Sequence, residues 1–277
     1  MIDAQSTRIP GALVDALDEL EAQSIFILRE AVNRLQPLAM LWSIGKDSNT
    51  LLWLARKAFF GRVPFPVILL DTGNEFPEVY EFRDRIIREW ELIYIDAPCP
   101  GAEETDPSLP PKARAAARKT LGLKRIIGER GLKGVILGIR RDEQAIRGKE
   151  RIFSPRDTTG AWNFRHQPPE FWDCFNAEPP PGGHVRVHPL LAWTEIDVWR
   201  YIDRERIPVV PLYFARDGKR FRSLGEKDIT SSVTSSATTI PQIIQELETS
   251  REPERAGRAM DHESEDAFER LRTQGYM

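Results

Sequence analysis

Apolar residues along this chain follow two alternating rhythms. Leu13, Leu17, Leu20 and Leu28 recur at helical spacing, so residues 11–35 read as a helix. "LAMLW" (38–42) is then an unbroken apolar run ahead of a glycine, the pattern of a strand buried on both faces. "PVILL" (66–70), "LIYI" (92–95), "GVILG" (134–138) and "VRVHP" (185–189) repeat that pattern. Helical stretches lie between them. Residues 49–59 form one, and 77–90 another, with Val79, Phe82, Ile86 and Trp90 on one face and Pro77 in the first turn, where its missing N–H costs least. The Ala- and Lys/Arg-rich residues 111–130 form a third. The alternation predicts an α/β fold: a Rossmann-like parallel sheet with helices on both faces.

The last quarter breaks this rhythm. "WTEIDVWRYI" opens a helix with Thr194 at the N-cap and Asp197 three residues on, a variant capping box. Trp193 and Trp199 there read as core. After "PLYFARDGKRFRSLG" comes the polar "EKDITSSVTSSATT", then a helix with Ile240, Ile243, Ile244 and Leu247 on one face. The final thirty residues are strongly charged. This predicts a catalytic domain over 1–215 and a C-terminal appendage over 216–277, ordered against the core or a partner.

Composition narrows the classes. The 277 residues are 41% hydrophobic and 29% charged, enough for a sizeable core. A net charge of −3 argues against broad nucleic-acid binding, which needs a dominant basic surface. Cys99 and Cys174 are the only cysteines and form no CxxC, so neither a zinc site nor a disulfide framework is indicated, and a reduced, cytoplasmic setting fits. The N-terminus lacks a basic-then-apolar signal pattern, and no run approaches the roughly 18 apolar residues of a membrane span. His166, His184, His188 and His262 have no metal-ligand spacing, so no resident metal is expected.

Ligands of parallel α/β sheets bind beyond the carboxyl ends of the strands, and the unusual polar stretches fall there. "SIGKDS" (43–48) follows the first strand. Gly45 lets backbone approach a ligand, the helix N-terminus favours an anion, Lys46 adds a point charge, and Ser43 and Ser48 offer hydroxyls. The bland alternative is a polar turn with a chance lysine. "LDTGNEFPEVYEF" (70–82) follows the second strand, with Asp71 at its end. Read alone, Asp71 caps the turn; the family resemblance given below implies instead that it contacts the nucleotide or its Mg2+, and both readings stay open. "GIRRDEQAIRGKERIFSPRD" (138–157) concentrates Arg140, Arg141, Arg147, Lys149, Arg151 and Arg156. Such runs are usually solvated faces. Arg140 and Arg141 differ because they directly follow a strand, and the arginine fork suits phosphate and sulfate oxygens.

Ser43-Ile44-Gly45-Lys46-Asp47-Ser48 resembles the PP-loop of the ATP pyrophosphatase superfamily, whose fold is adenine nucleotide α-hydrolase-like. The stretch at 70–82 looks like the second motif of its sulfonucleotide branch. The arginine stretch, "QPPEFW" (167–172), "HPLLAWTEIDVWRYI" (188–202), "VPLYFARDGKRFRSLG" (210–225) and the chain's ending resemble the small, catalytic subunit of bacterial sulfate adenylyltransferase. The likeness runs over roughly residues 15–277. It implies adenylyl transfer from ATP to sulfate, giving adenylyl sulfate and pyrophosphate, with Mg2+ accompanying ATP and a GTPase large subunit driving the step. This chain has no GxxxxGK[ST], so that GTPase is expected on another polypeptide. The resemblance assigns pyrophosphate binding to Ser43, Gly45, Lys46, Asp47 and Ser48, and sulfate or α-phosphate contacts to Arg140 and Arg141, with Lys46, Arg140 and Arg141 as the catalytic cations.

Three rivals are weighed against it. A sulfonucleotide reductase needs a nucleophilic cysteine near the C-terminus, and the last cysteine here is Cys174. A nucleotide-binding regulatory module could dispense with the arginines. A PP-loop adenylating enzyme of specialised sulfur metabolism, acting on another acceptor, is kept open by a departure at 226–237. There "EKDITSSVTSSA" lacks the family's glycine and glutamate, with Ser231 and Ser235 at the matching places.

Overall fold

The computed structural model describes residues 15–109, 111–250 and Glu254. Helix α1 (Ala16–Arg34) starts at a capping box between Asp15 and Asp18 and leads into β1 (Leu38–Leu41), α2 (Lys46–Ala58), β2 (Val67–Asp71), α3 (Pro77–Glu89), β3 (Tyr94–Pro98), α4 (Pro111–Arg130) and β4 (Gly134–Ile136). Then come β5 (Phe153–Arg156), β6 (His184–Val187), α5 (Glu195–Glu205), a short pair β7 (Lys219–Arg220) and β8 (Val233–Thr234), and α6 (Ile240–Thr249).

Six strands form one sheet in the order β3-β2-β1-β4-β6-β5. All its pairings are parallel except that of the edge strand β5, which runs antiparallel to β6 with Ser154 opposite Arg186. The five strands expected from unbroken apolar runs are present. The sixth, β5, has no such run: its sequence FSPR carries Pro155, which an edge strand tolerates because one of its sides needs no ladder.

Alternate strand residues face opposite ways, and both faces are covered. Met40, Val67, Leu69, Ile136 and Val185 join a core built with α1, α2 and α5, which includes Trp193 and Trp199. Ala39, Leu41, Ile68, Leu70, Val135 and Leu137 join Leu123 and Ile126 of α4 on the other face. Double-sided burial is why these strands read as continuous apolar runs.

Strand order reverses between β1 and β4, since the chain moves outward one way through β2 and β3 and then returns to the far side of β1. A crevice opens beyond the carboxyl ends at such a point. The stretch after residue 216 packs back toward it. Ile243 of α6 is fully buried, Phe221 lies against Phe76, and Arg220 is held by Glu246 at 2.9 Å. Residues 11–14 of the expected first helix, and 251–253 and 255–277 of the charged ending, lie outside the described residues. Among the described residues no helix is long and apolar enough to cross a membrane.

Candidate active site

The loop after β1 turns directly into α2, with Gly45 as N-cap and Lys46 as the first helical residue. The helix therefore starts inside the motif, three residues before the pattern at 49–59 predicts. Ile44 sits in the left-handed region at φ 65°, a costly conformation for a β-branched side chain. Asn49 holds it: its amide donates to the Ile44 carbonyl at 3.2 Å and accepts from Trp42 Nε1 at 2.7 Å, with all three residues buried. Ser43 Oγ donates to Ser48 Oγ at 3.2 Å, and Ser48 Oγ to the Gly45 carbonyl at 3.0 Å. The Lys46 backbone N–H, unpaired within its own helix, donates to Tyr213 Oη at 2.8 Å. Tyr213 is buried edge-on against Trp199.

Gly138, just past β4, brings a second chain close to this helix start. A Cβ there would stand 3.3 Å from Asp47 C and Ser48 N. Arg140 follows two residues later, fully buried, and ion-pairs with Asp47, Asp142 and Glu254. Burial opposes its charge, yet the carboxylates of Glu254, Glu143, Asp142 and Glu195 outweigh that and raise the guanidinium pKa above its ordinary value. Lys46, also buried, faces Glu254, Asp47 at 3.6 Å and Glu195 at 3.7 Å, and its Nζ donates to the Arg222 carbonyl at 3.3 Å. The Glu254 carboxylate thus sits between Lys46 and Arg140.

A cavity of about 210 Å³ adjoins this cluster. Ser43, Gly45, Lys46, Asp47 and Ser48 line one side; Ile68, Leu69, Leu70, Leu137 and Ile139 give it an apolar wall; and residues 223–226 and Ile229 close it from the C-terminal stretch. Lys119 crosses its rim, 3.1 Å from Glu75 and 3.5 Å from Glu226.

Two of the residues expected at the site stand apart. Asp71 accepts from the Gly73 N–H at 2.7 Å and Tyr80 Oη at 2.8 Å, the capping geometry that its sequence position left open. The Arg141 side chain is exposed, and its backbone N–H donates to the Leu191 carbonyl at 3.2 Å. In their place the structure brings in Asp142, Glu195, Tyr213, Arg222 and Glu254. The stretches 188–202 and 210–225 contain three of these and stood out as stretches, but nothing in local spacing marked the individual residues.

The phosphoadenosine phosphosulfate reductase domain family matches residues 37–232. Sulfate adenylyltransferase subunit 2 of Pseudomonas paraeruginosa is 40% identical over 94% of this chain and 97% of its own length. The protein of that name from Rhizobium tropici is 40% identical over 98% of this chain and 96% of its own. The chain belongs to the sulfate adenylyltransferase subunit 2 family. These relatives align over 94% and 98% of the chain, so the stretches 188–202 and 210–225 lie within the family likeness. Solved structures confirm the fold. Phosphoadenylyl-sulfate reductase from Candida auris superposes with a TM-score of 0.53 at 17% identity, over 78% of this chain and 96% of that one. Yeast FAD synthetase in complex with FAD gives 0.52 at 16% identity, over 93% of each.

Proposed function

We propose that this chain is the adenylyl-transferring subunit of a sulfate adenylyltransferase, catalysing the opening step of sulfate assimilation. The observation that carries this is the meeting of Lys46 and Arg140 on one carboxylate beside an apolar-walled cavity at the switch point of the sheet. The apolar wall suits an adenine ring, and the helix start with its serines suits the leaving pyrophosphate.

A sulfate oxygen attacks the α-phosphorus, forming the P–O–S bond. The α–β bridging oxygen leaves on pyrophosphate with the bonding electrons. No proton moves, because sulfate is already an anion, so catalysis is alignment and stabilisation of negative charge. Ser43, Gly45, Lys46, Asp47 and Ser48 hold the β,γ end, and Arg140 meets the α-phosphate or sulfate. The exposed Arg141 side chain stands outside this buried cluster.

Mg2+ bound chiefly by nucleotide phosphates and water needs only one or two carboxylates. Asp47, on the cavity wall at the phosphate-binding loop, offers one such carboxylate. When bound, the ion would neutralise phosphate charge. Reductase chemistry fits less well. Burial pushes the Cys99 thiol up to about 11, far from a reactive thiolate, and Cys174 is exposed on the hairpin turn at Phe171–Cys174. The relatives are named as one subunit of an enzyme, and a GTPase subunit is the partner expected to drive the unfavourable anhydride formation in the cytoplasm. α-Labelled ATP incubated with sulfate and the full complex should give labelled adenylyl sulfate by chromatography. A labelled product that forms only with a different acceptor would favour the specialised adenylating enzyme.

A further inference from the structure

The cavity wall carries a second charged group besides the Lys46–Arg140 cluster: the buried carboxylates of Glu75 and Glu226, with Lys119 between them. Glu75 accepts a hydrogen bond from Lys119 Nζ at 3.1 Å. Glu226 does not. Its Oε1 lies 3.5 Å from the same ammonium, is buried, and accepts no hydrogen bond among the described residues. Only 3% of Glu226 is exposed. A buried carboxylate oxygen without a donor costs free energy, and a ligand that brings a donor removes the cost. The backbone keeps this side chain on the wall. The Glu226 carbonyl accepts from the N–H groups of Ile229 and Thr230 at 3.1 and 3.0 Å, and from Thr230 Oγ1 at 2.8 Å. Next along the chain, the Lys227 N–H donates to the Asn74 carbonyl at 2.9 Å, and the Asn74 amide to Asp228 at 2.7 Å. The turn is thereby pinned to the loop that follows β2.

We propose that Glu226 determines specificity for a ribonucleotide: its carboxylate accepts hydrogen bonds from the ribose hydroxyls of bound ATP. The inference rests on the adenylyl-transfer reading. Phosphate and sulfate do not suit this carboxylate, because like charges repel. The base has the apolar wall of Ile68, Leu70 and Leu137. The sugar's neighbouring 2′- and 3′-hydroxyls, by contrast, match the two oxygens of a carboxylate, and acidic side chains take that role in dinucleotide-binding α/β folds. Position along the chain agrees. Arg222, four residues earlier, accepts from Lys46 Nζ through its carbonyl, and four residues span at most about 14 Å. The sugar of ATP, lying between base and triphosphate, falls within that reach of the phosphate end. Adenine's 6-amine is the other donor that ATP offers, and inosine triphosphate, which lacks it, tells the two apart.

Calorimetric titration of full-length wild type, Glu226→Ala and Glu226→Gln with the Mg2+ complexes of ATP, 2′-deoxy-ATP, 3′-deoxy-ATP and inosine triphosphate makes the test without turnover. ATP and its deoxy analogues carry the same charge. Their affinity ratio therefore cancels the general electrostatic effect of the substitution and isolates the hydroxyl contact. Wild type should bind ATP about tenfold or more tighter than at least one deoxy analogue, as a hydrogen bond to a buried charged group implies. In Glu226→Ala that ratio should fall to near one, and in Glu226→Gln to a value between. Wild type that binds ATP and both deoxy analogues equally overturns the inference. So does Glu226→Ala with the wild-type ratio, the result of a purely structural role, in which all four affinities fall together. A variant that loses discrimination against inosine triphosphate alone also overturns it, and assigns the carboxylate to the base. If Glu226→Ala melts below the assay temperature, Glu226→Gln carries the test: a reduced ratio supports the inference, and an unchanged one overturns it. A wild-type chain that binds neither ATP nor Mg-pyrophosphate overturns the adenylyl-transfer reading, and the inference with it, a result distinct from any change in ratio.

Discussion

Ile44 shows how the site spends local stability on shape. Its left-handed backbone is held by one amide, that of Asn49, which also satisfies the buried Trp42 ring N–H. Asn49→Ala should lower stability by about 1–3 kcal/mol, because it strands a buried donor and a buried acceptor. It should also weaken pyrophosphate binding. Denaturant titration and calorimetry would check both; full stability with normal binding would show that the loop keeps its shape without the amide. Lys46→Met should cut turnover about 100–1,000-fold, the usual cost of one preorganised group stabilising transition-state charge. Steady-state kinetics beside a melting curve would separate that loss from unfolding. At this scale the sequence displayed the loop, because its residues are consecutive, and Arg140, because it follows a strand. Tyr213 and Glu195 were invisible: they reach Lys46 across 167 residues in one case and through a helix cap in the other. Asp71 stayed open in the sequence because the same residue type serves equally as a cap and as a ligand contact; in the structure its Oδ1 caps the turn.

Secondary-structure elements were legible wherever their burial was uniform. The strands buried on both faces announced themselves, as did α5 through its capping box. β5 did not, because it buries Ser154 and Arg156 in place of an apolar run, pairing Arg156 with Glu150 at 2.8 Å. Its neighbour β6 carries a testable consequence. His184 begins β6 and His188 follows its end, and both are buried. Burial, with nearby Arg186 and Arg156, moves His184 from the ordinary 6.5 to about 3; burial, only partly offset by Glu150, moves His188 to about 4. Both imidazoles are therefore neutral in the folded chain, while the unfolded chain binds protons below pH 6.5. Their contribution to stability is complete above that pH and is lost as pH falls toward 4. The melting temperature should decline across this window, and the His184→Asn/His188→Asn double variant should decline less steeply. An identical slope in wild type and variant would contradict the assignment.

At the scale of the whole molecule, the strand reversal beside β1 places the crevice, and four segments distant in sequence furnish it: the loop at 43–48, the stretch after β4, the start of α5 and residues 213–229. The apolar periodicity foretold the sheet and its ligand edge. It could not foretell that residues beyond 216 return to wall the cavity and bury Ile243, since a polar stretch reads alike whether it closes a site or faces solvent. Glu226 and Ile229 stand on that wall, so the altered segment at 226–237 borders the cavity. Under the proposed function, ATP is cleaved here only when sulfate takes its adenylyl group. The first test is pyrophosphate release from Mg·ATP by the purified chain together with the proposed GTPase subunit and GTP, with and without sulfate. Adenylyl transfer to sulfate gives release that depends on sulfate and rises when the GTPase and GTP are supplied. ATP binding with no sulfate-dependent release, even with the partner present, would contradict it.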